Sequence, residues 1–300
     1  MYHVPVLLKE SVEGLAIKPD GIYADLTFGG GGHTREILAK LSPKGKLFGF
    51  DQDEDAKKNA EQFNNSSFTL IEGNFRYLKR YLRGEGVSKI DGILADLGVS
   101  SHQIDSPERG FSTRFEGELD MRMNRNGGKT AADVVREYPE EKLHKLLGMY
   151  GEIKNAKTAA AELVKARVKK PIKTITDLKD ALRALAPRGK ENKYFAQVFQ
   201  ALRIEVNDEL VALEEMLTQS AEVLNKGGRL VVISYHSLED RLVKNFMMKG
   251  KFFGEVDKDV YGNFDKPFEM VSRKPIEAGE EEIEKNNRAR SAKLRIAEKS

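Results

Sequence analysis

Four consecutive glycines follow an aspartate near the start of the chain, and these residue types are suited to binding a ligand. The segment reads Asp25-Leu-Thr-Phe-Gly29-Gly30-Gly31-Gly32-His33-Thr34. Because glycines carry no side chain, a turn of this kind lets a ligand contact the backbone. The helix predicted to follow would offer free N–H groups and the positive end of its dipole, which suit a carboxylate or a phosphate. The pattern therefore predicts a site for a molecule with an anionic group.

The residues at the end of the glycine run separate three classes of cofactor. A P-loop ends in Gly-Lys-Ser/Thr, whereas this turn ends in Gly32-His33-Thr34 and lacks the lysine. A nicotinamide dinucleotide turn needs a third glycine three residues after the second, but Thr34 and Arg35 occupy the two positions where it could occur. Hydrolysis of nucleoside triphosphates is therefore disfavoured, and an NAD-dependent oxidoreductase is the weaker alternative.

Two acidic residues favour the third class, the S-adenosylmethionine-dependent methyltransferases. Asp25 lies four positions before Gly29. Asp51 follows the glycines by about 20 residues, where a carboxylate can accept hydrogen bonds from both hydroxyls of a ribose. Asp51 alone does not decide between the two cofactors, since it would also suit a nicotinamide dinucleotide. It could instead belong to the acidic start of a helix at 51–55.

Short strands at regular spacing position these residues. Strands are predicted at 21–24, 46–50, 68–72, 92–97 and 229–234, with helical stretches between the first four. This alternation predicts an α/β fold, a Rossmann-like sheet with helices on both faces. Ligands of such sheets bind beyond the carboxyl ends of the strands. The polar residues that follow the strands are therefore expected at one edge of the sheet, namely Asp25, Asp51, Asn74 and Asp96.

A long helical segment interrupts the predicted sheet. The strand at 229–234 comes roughly 130 residues after the fourth strand, far more than a crossover connection needs. Within this interval, Thr130–Asp133 and Thr174–Asp177 have the pattern of helix capping boxes. We therefore predict a methyltransferase domain at 1–104 and 206–300 and an inserted small all-helical domain at 105–205.

The charge of the chain is concentrated in the predicted insertion. Residues 142–203 contain 15 Lys and Arg against 5 Asp and Glu, a net charge of +10, which leaves −7 on the rest of a chain whose total is +3. A basic domain of this kind is typical of RNA recognition, although a solvated lysine-rich surface has the same composition. The candidate phosphate contacts are Lys165, Arg167, Lys169 and Lys170.

The composition of the chain bears on disulfides, metal sites, secretion and membrane insertion. The 300 residues are 40% apolar and include no cysteine, which excludes disulfides and cysteine-ligated metals. The apolar run at 4–8 is interrupted by Pro5, and no stretch approaches the roughly 18 apolar residues of a membrane helix. We expect a cytoplasmic protein without a signal peptide or membrane partner. No ligand cluster demands a metal, and the sequence leaves a homodimer open.

Several long motifs resemble one protein family, the bacterial RsmH/MraW methyltransferases, over about residues 3 to 297. These runs are His3-Val-Pro-Val-Leu-Leu, Thr27-Phe-Gly-Gly-Gly-Gly-His33, Asp91-Gly-Ile-Leu-Ala-Asp-Leu-Gly-Val-Ser-Ser101, Glu108-Arg-Gly-Phe-Ser112, Leu119-Asp-Met-Arg-Met123, Phe199-Gln-Ala-Leu-Arg203, Ser237-Leu-Glu-Asp-Arg241 and Arg288-Ala-Arg-Ser291. One segment departs from the family, because Lys193-Tyr-Phe-Ala-Gln-Val198 stands where relatives usually read His-Pro-x-Thr-Arg-Thr. Any RNA contacts made there must differ.

The resemblance implies an enzyme that methylates the exocyclic N4 amine of one cytidine in the decoding region of 16S ribosomal RNA. It also implies a class I methyltransferase fold and S-adenosylmethionine as the cofactor. The cofactor contacts that it implies are Gly31, Gly32, His33, Asp51, Phe75, Asp96 and Gln103, which join Asp25 and Gly29 from the glycine turn. An aromatic at the position of Phe75 could equally be a core residue.

The catalytic candidates follow the fourth and fifth strands. Other amino methyltransferases carry a short Asp/Asn/Ser-Pro-Pro-aromatic loop after the fourth strand, and this chain has Asp96-Leu-Gly-Val-Ser100-Ser101 there. We predict that Asp96 accepts hydrogen bonds from the amine, with Ser100 as a secondary candidate. His236, after the fifth strand, either contacts the flipped base or is a rim histidine satisfied by backbone. A non-catalytic RNA-binding protein on the same fold is a further alternative.

Overall fold

A computed structural model describes residues 5–256, 259, 261 and 264–300. His3 and Val4 of the first family motif lie outside the described residues. The chain forms two compact units, one from residues up to Gly98 together with Leu210–Ser300 and the other from Val99–Glu209. The units meet in the sequence at 98/99 and 209/210, whereas the predicted domains meet at 104/105 and 205/206. The second boundary lies later because a helix continues to Asn207 before the backbone turns at Asp208, whose φ is 51°.

The strands are β1 Ile22–Asp25, β2 Lys46–Asp51, β3 Phe68–Glu72, β4 Ile90–Asp96, β5 Leu224–Ser234, β6 Phe268–Met270 and β7 Lys293–Lys299. The α-helices are α1 Leu8–Gly14, α2 Gly32–Leu38, α3 Glu54–Ala60, α4 Leu78–Gly84, α5 Ser101–Asp105, α6 Ala131–Glu137, α7 Glu140–Met149, α8 Ala156–Lys169, α9 Ile175–Leu182, α10 Glu191–Asn207, α11 Glu209–Val223, α12 Ser237–Lys249 and α13 Glu280–Lys285. None of the helices among the described residues is long and apolar enough to span a membrane.

The first unit is built on a seven-stranded sheet in the order β3-β2-β1-β4-β5-β7-β6. The first five strands pair in parallel, and β7 runs antiparallel to both β5 and β6. Successive strand residues enter separate cores, since Leu94 packs with α1 and α2 while Ile93 packs with α4, α11 and α12. The prediction of an α/β Rossmann-like sheet with helices on both faces is confirmed.

The start of β5 differs from its prediction. The sequence predicts a glycine-containing helix end at 225–228 and a strand from Arg229, but β5 begins at Leu224. Leu224 is buried and pairs with Ile90, whereas Arg229 pairs with Gly92, so the residues between them bulge out of the ladder. Gly227 permits this bulge with a φ of 77°.

The second unit contains α5 to α10 and has its own apolar core. The capping boxes predicted from Thr130 and Thr174 are both present, at the starts of α6 and α9. The segment that departs from the family motif lies in α10, and its residues Tyr194, Phe195 and Val198 are buried in this core. These three side chains therefore stabilise the unit and are not available to contact RNA.

Candidate active site

Parallel pairing brings three aspartates to the carboxyl edge of the central strands. Asp25 pairs with Gly49 on β2 and with Leu94 on β4. Asp51 and Asp96 each lie two residues beyond those partners, so they flank the residues that leave β1. The prediction that strand-end carboxylates share one edge of the sheet agrees with this register.

Asp25 and Asp51 hold the glycine turn through hydrogen bonds. The buried Asp25 carboxylate accepts from the Thr34 hydroxyl at 2.7 Å and from the Thr27 N–H at 3.2 Å. The Asp51 carboxylate accepts from the Gly29 N–H at 2.8 Å and from the Asp53 N–H at 2.9 Å. Each carboxylate therefore has a structural role in the turn, whichever ligand the turn binds.

The turn is less open than the sequence indicates. Gly29 and Gly31 adopt the left-handed conformation, with φ of 51° and 74°. The Gly29 N–H is already engaged by Asp51, and the Gly31 N–H donates to the Phe28 carbonyl at 2.7 Å. These two amides are therefore not available to an anion, because the turn uses them to close itself. The predicted contact of an anion with N–H groups at the helix start stays a prediction.

Asp96 is held by a different partner from the other two aspartates. Its backbone N–H donates to the Thr27 hydroxyl at 2.7 Å, which ties β4 to the turn. Its carboxylate Oδ1 accepts from the Tyr235 hydroxyl, also at 2.7 Å. The sequence does not predict this contact, although Tyr235 directly follows β5, the strand that neighbours β4.

The pKa values of all three aspartates are raised, so each carboxyl group is more easily protonated than in water. Burial raises the pKa of Asp25, Asp51 and Asp96 to about 6 each, and the hydrogen bonds that they accept only partly offset it. Asp25 also raises the pKa of the other two by charge repulsion. Among the described residues, little positive charge compensates them. The site therefore favours a cationic ligand.

The raised pKa of Asp25 should make the stability of the protein depend on pH. Asp25 has a folded pKa of about 6 against an ordinary value of 3.8, so its contribution to stability is present below pH 4 and is lost as pH rises through 6. The variant Asp25→Asn lacks this titration. We expect its free energy of unfolding, relative to wild type, to improve by about 2 kcal/mol between pH 4.5 and 7.5. Urea unfolding across this range measures the difference.

This comparison between two proteins cancels the titration of His33, whose lowered pKa acts on stability in the opposite sense. If the stability of Asp25→Asn relative to wild type stays constant or declines with rising pH, the pKa of Asp25 is not raised in the folded protein.

His33 is buried beside the glycine turn. Its side chain is 5% exposed, and its Nε2 has no hydrogen-bond partner among the described residues. Burial lowers the pKa of His33, opposed by the nearby Asp96 carboxylate and by a hydrogen bond with the Val6 backbone. A neutral imidazole with an unused nitrogen fits a ligand that supplies a hydrogen-bond donor.

Phe75 and His236 both lie at the ends of sheet strands. Phe75 begins a 3-10 helix after β3 and is half-buried against the core. It therefore has a packing role, and its stacking on adenine stays a prediction. His236 caps α12, with its Nδ1 accepting from the Glu239 N–H at 3.4 Å and its Nε2 lying 3.2 Å from a Glu239 carboxylate oxygen. A contact between His236 and a base also stays a prediction.

Ser100 and Gln103 belong to the second unit and form a capping box at the start of α5. The Ser100 hydroxyl accepts from the Gln103 N–H at 3.2 Å, and the Gln103 side-chain oxygen accepts from the Ser100 N–H at 2.9 Å. These contacts give both residues a local structural role. Their predicted roles in catalysis and cofactor binding stay predictions.

The predicted phosphate contacts need one correction. The Arg167 guanidinium donates to the backbone carbonyls of Val135 and Tyr138 at 2.6 and 2.7 Å, so it joins α8 to the end of α6. Lys170 pairs with Asp177 at 2.6 Å. Arg167 therefore has a structural role, because these two carbonyls compete with any phosphate for its guanidinium.

Other basic side chains of the second unit are better placed for a polyanion. Nine are exposed and form no ion pair with a carboxylate of the described residues: Arg125, Lys145, Lys154, Lys157, Lys169, Lys173, Arg188, Lys190 and Lys193. The Asn155 side chain donates to the Leu185 carbonyl at 3.2 Å and so joins the start of α8 to the segment before α10. We call the five basic residues around this junction the α8–α10 basic surface: Lys154, Lys157, Arg188, Lys190 and Lys193.

The parallel sheet with an antiparallel β7, and the acidic residues at the carboxyl ends of its central strands, define a Rossmann-like class I methyltransferase. Comparison with known proteins supports the same class. The model of the MraW methylase family matches residues 1–300, so the chain belongs to that family, which confirms the resemblance seen in its motifs. Membership identifies an S-adenosylmethionine-dependent enzyme and disfavours the nicotinamide-dependent alternative.

Curated relatives match along their whole length. A protein of Cytophaga hutchinsonii is 64% identical over 299 residues, which cover 100% of both chains. A protein of Flavobacterium psychrophilum is 58% identical over 293 residues, covering 98% of this chain and 100% of the relative. One of Phocaeicola vulgatus is 56% identical over 299 residues, covering 100% and 98%. Each relative is named ribosomal RNA small subunit methyltransferase H.

Proposed function

We propose that this protein methylates the exocyclic N4 amine of one cytidine in the decoding region of 16S ribosomal RNA. Family membership and the names of its relatives support this assignment. The structural observation that carries it is the convergence of Asp25, Asp51 and Asp96 at one edge of the sheet. A site that is rich in carboxylates and poor in cations suits a positively charged cofactor and an amine that gains charge during the reaction.

The residues present fit S-adenosylmethionine. Asp51 can accept from ribose hydroxyls through the lone pairs that the Gly29 and Asp53 amides leave free. The unused Nε2 of His33 can accept from a donor of the cofactor, and Phe75 can stack on its adenine. Gly31 and Gly32 would line the turn beside it. When bound, the cofactor supplies the methyl group on a positively charged sulfur.

Asp96 provides the acceptor for the substrate amine in this proposal. The lone pair of a cytosine amine is delocalised into the ring, so the amine is a weak nucleophile that must be oriented. A carboxylate that accepts its N–H groups orients it and stabilises the positive charge that develops on nitrogen. Oδ1 of Asp96 is occupied by Tyr235, which leaves Oδ2 for this contact. Ser100 and His236 are secondary candidates for contacts with the base.

Two measurements test the function. In a binding titration, S-adenosylmethionine and its demethylated product should bind, and NAD should not. Small ribosomal subunits that lack the modification should then acquire one methyl group on the N4 atom of a single cytidine. Binding of cofactor without methyl transfer would instead favour a non-catalytic RNA-binding protein. Transfer to another atom would contradict the assigned substrate.

The inserted helical unit is proposed to recognise RNA through the α8–α10 basic surface. Neutralising its five residues to Gln should weaken binding of small subunits at least about tenfold near 0.1 M salt, because phosphate contacts are lost. The slope of log affinity against log salt should fall by about 4 in magnitude, since each of the five contacts contributes roughly 0.7 to 0.9. Filter binding at several salt concentrations measures both quantities.

Paired basic residues of the same unit provide the control. Lys165, which the sequence predicts as a phosphate contact, and Arg183 are exposed but face Glu162 and Asp180, so this proposal does not include them in the RNA-binding surface. Changing both to Gln should leave the salt dependence nearly unaltered. If the five-residue variant binds with the wild-type slope, the surface is solvated and RNA is recognised elsewhere. A cytoplasmic location and a homodimer stay predictions.

A further inference from the structure

The carboxylate of Asp96 differs from its two neighbours in what fixes its orientation. Asp25 and Asp51 each accept from backbone N–H groups of the glycine turn or its surroundings. Among the described residues, the Asp96 carboxylate has a single hydrogen-bond donor, the hydroxyl of Tyr235. The orientation of Asp96 therefore depends on one side chain.

Tyr235 is itself held firmly. Its backbone N–H donates to a carboxylate oxygen of Glu239 at 2.9 Å, and Glu239 is 3% exposed in the first turn of α12. Its ring packs against the core on one face of the sheet. Burial raises the pKa of Tyr235, and so does the Asp96 carboxylate, so the hydroxyl stays protonated and can only donate to Asp96.

We propose that Tyr235 is a positioning residue, whose hydroxyl holds Oδ1 of Asp96 so that Oδ2 faces the substrate amine in the ionised state. This inference rests on the proposed role of Asp96 as the amine acceptor. Tyr235 need not touch the substrate, because it acts through the carboxylate. A single hydrogen bond to a charged group is strong enough to select one orientation of a carboxyl group.

The charged groups around the pair decide the direction of the expected pH effect. Asp96 faces His33 of α2, Asp25 of β1 and Glu239 of α12, while Arg288 also acts on Tyr235. Burial raises the pKa of Asp96 to about 6, and the Tyr235 hydroxyl opposes that rise. Without the hydroxyl the pKa of Asp96 must increase further, so a smaller fraction is ionised at neutral pH.

The variant Tyr235→Phe removes only the hydroxyl. We expect kcat for methylation of small subunits to fall roughly 10-fold to 100-fold, the range for loss of a hydrogen bond to a charged group. The acidic limb of the kcat profile should move up by about one pH unit. The KM for the subunit and the affinity for S-adenosylmethionine should change less than about threefold, since the hydroxyl contacts neither ligand in this proposal.

Tyr138→Phe is the matched control, because the Tyr138 hydroxyl donates to Glu205 at 2.8 Å in the other unit. It removes the same kind of hydrogen bond and should leave the acidic limb in place. A second test introduces Tyr235→Phe into Asp96→Asn. If Tyr235 acts through the charge of Asp96, the two losses will not add.

Carboxyl NMR titration of Asp96 in the free protein gives a readout that is independent of activity, and it should show a higher pKa in Tyr235→Phe. An unchanged kcat and acidic limb would overturn the inference, and so would equal losses in the wild-type and Asp96→Asn backgrounds. Failure of the wild-type protein to methylate subunits would count against the proposed function, whereas the NMR result would still test the link between Tyr235 and Asp96.

Discussion

Asp96→Asn should lower kcat by roughly 100-fold to 10,000-fold, the range over which a positioned acid–base group contributes. The substitution keeps the size of the side chain and an oxygen that can accept from Tyr235, but it removes the negative charge. The amine would then lose the group that accepts its N–H and stabilises charge on nitrogen. Single-turnover transfer of labelled methyl groups to unmodified subunits measures the effect.

Asp91→Asn is a suitable control for this substitution. Asp91 lies at the opposite end of β4 and accepts from the Ile22 N–H at 3.0 Å. It should retain the wild-type kcat. A near wild-type rate in Asp96→Asn with normal cofactor binding would remove Asp96 from the reaction. A loss of cofactor affinity as large as the loss of kcat would assign Asp96 to cofactor binding instead.

Gly31→Ala should damage both the fold and the cofactor site. A Cβ atom at Gly31 would lie 2.5 Å from the Phe63 ring and 3.0 Å from the Phe28 ring, at a φ of 74°. Phe63 cannot withdraw easily, since it packs edge-on against Phe28 and carries the Arg35 guanidinium over its ring. We expect the free energy of unfolding to fall by about 2 to 5 kcal/mol, the sum of overpacking and left-handed strain.

The turn would also shift away from the cofactor, so affinity for S-adenosylmethionine should fall at least about tenfold, equivalent to roughly 1.4 kcal/mol. Gly86→Ala separates the two causes, because Gly86 has a similar φ of 72° but no atom within 4 Å of the added Cβ. That control should lose only about 1 to 2 kcal/mol of stability and bind the cofactor normally. Equal losses in the two variants would show that contact with Phe63 is unimportant.

The fold was largely predictable because its signals are local. Short apolar runs at α/β spacing indicate parallel strands. Thr130 and Thr174 indicate helix starts, because each has an aspartate three residues later that completes a capping box. The start of β5 was not predictable, since the pairing of Leu224 with Ile90 depends on a strand more than a hundred residues away. Local glycines at 227 and 228 indicated a turn, and the distant partner extended the strand past it.

Long-range contacts also changed the interpretation of single residues. Arg167 looks like a phosphate contact in a basic stretch, but it donates to two backbone carbonyls that the sequence does not associate with it. Tyr194 and Phe195 occupy a segment where the family motif is polar, and folding buries them. The contacts of Arg167 have no signal in the neighbouring residues, because they depend on which helices pack together. The burial of Phe195 does have one, since Phe195, Val198, Phe199 and Leu202 recur at helical spacing.

The sequence by itself determined the class of cofactor site around Asp25 and the four glycines, since residue types and spacing limit what a turn can bind. It also determined the family, because long motifs are retained along the chain. Only the tertiary structure decided how that site is held. Asp51 closes the turn through Gly29, and Tyr235, which directly follows β5, orients Asp96 from 139 residues later in the sequence. Such contacts arise from parallel pairing in the sheet, which brings strand ends together irrespective of their separation in sequence.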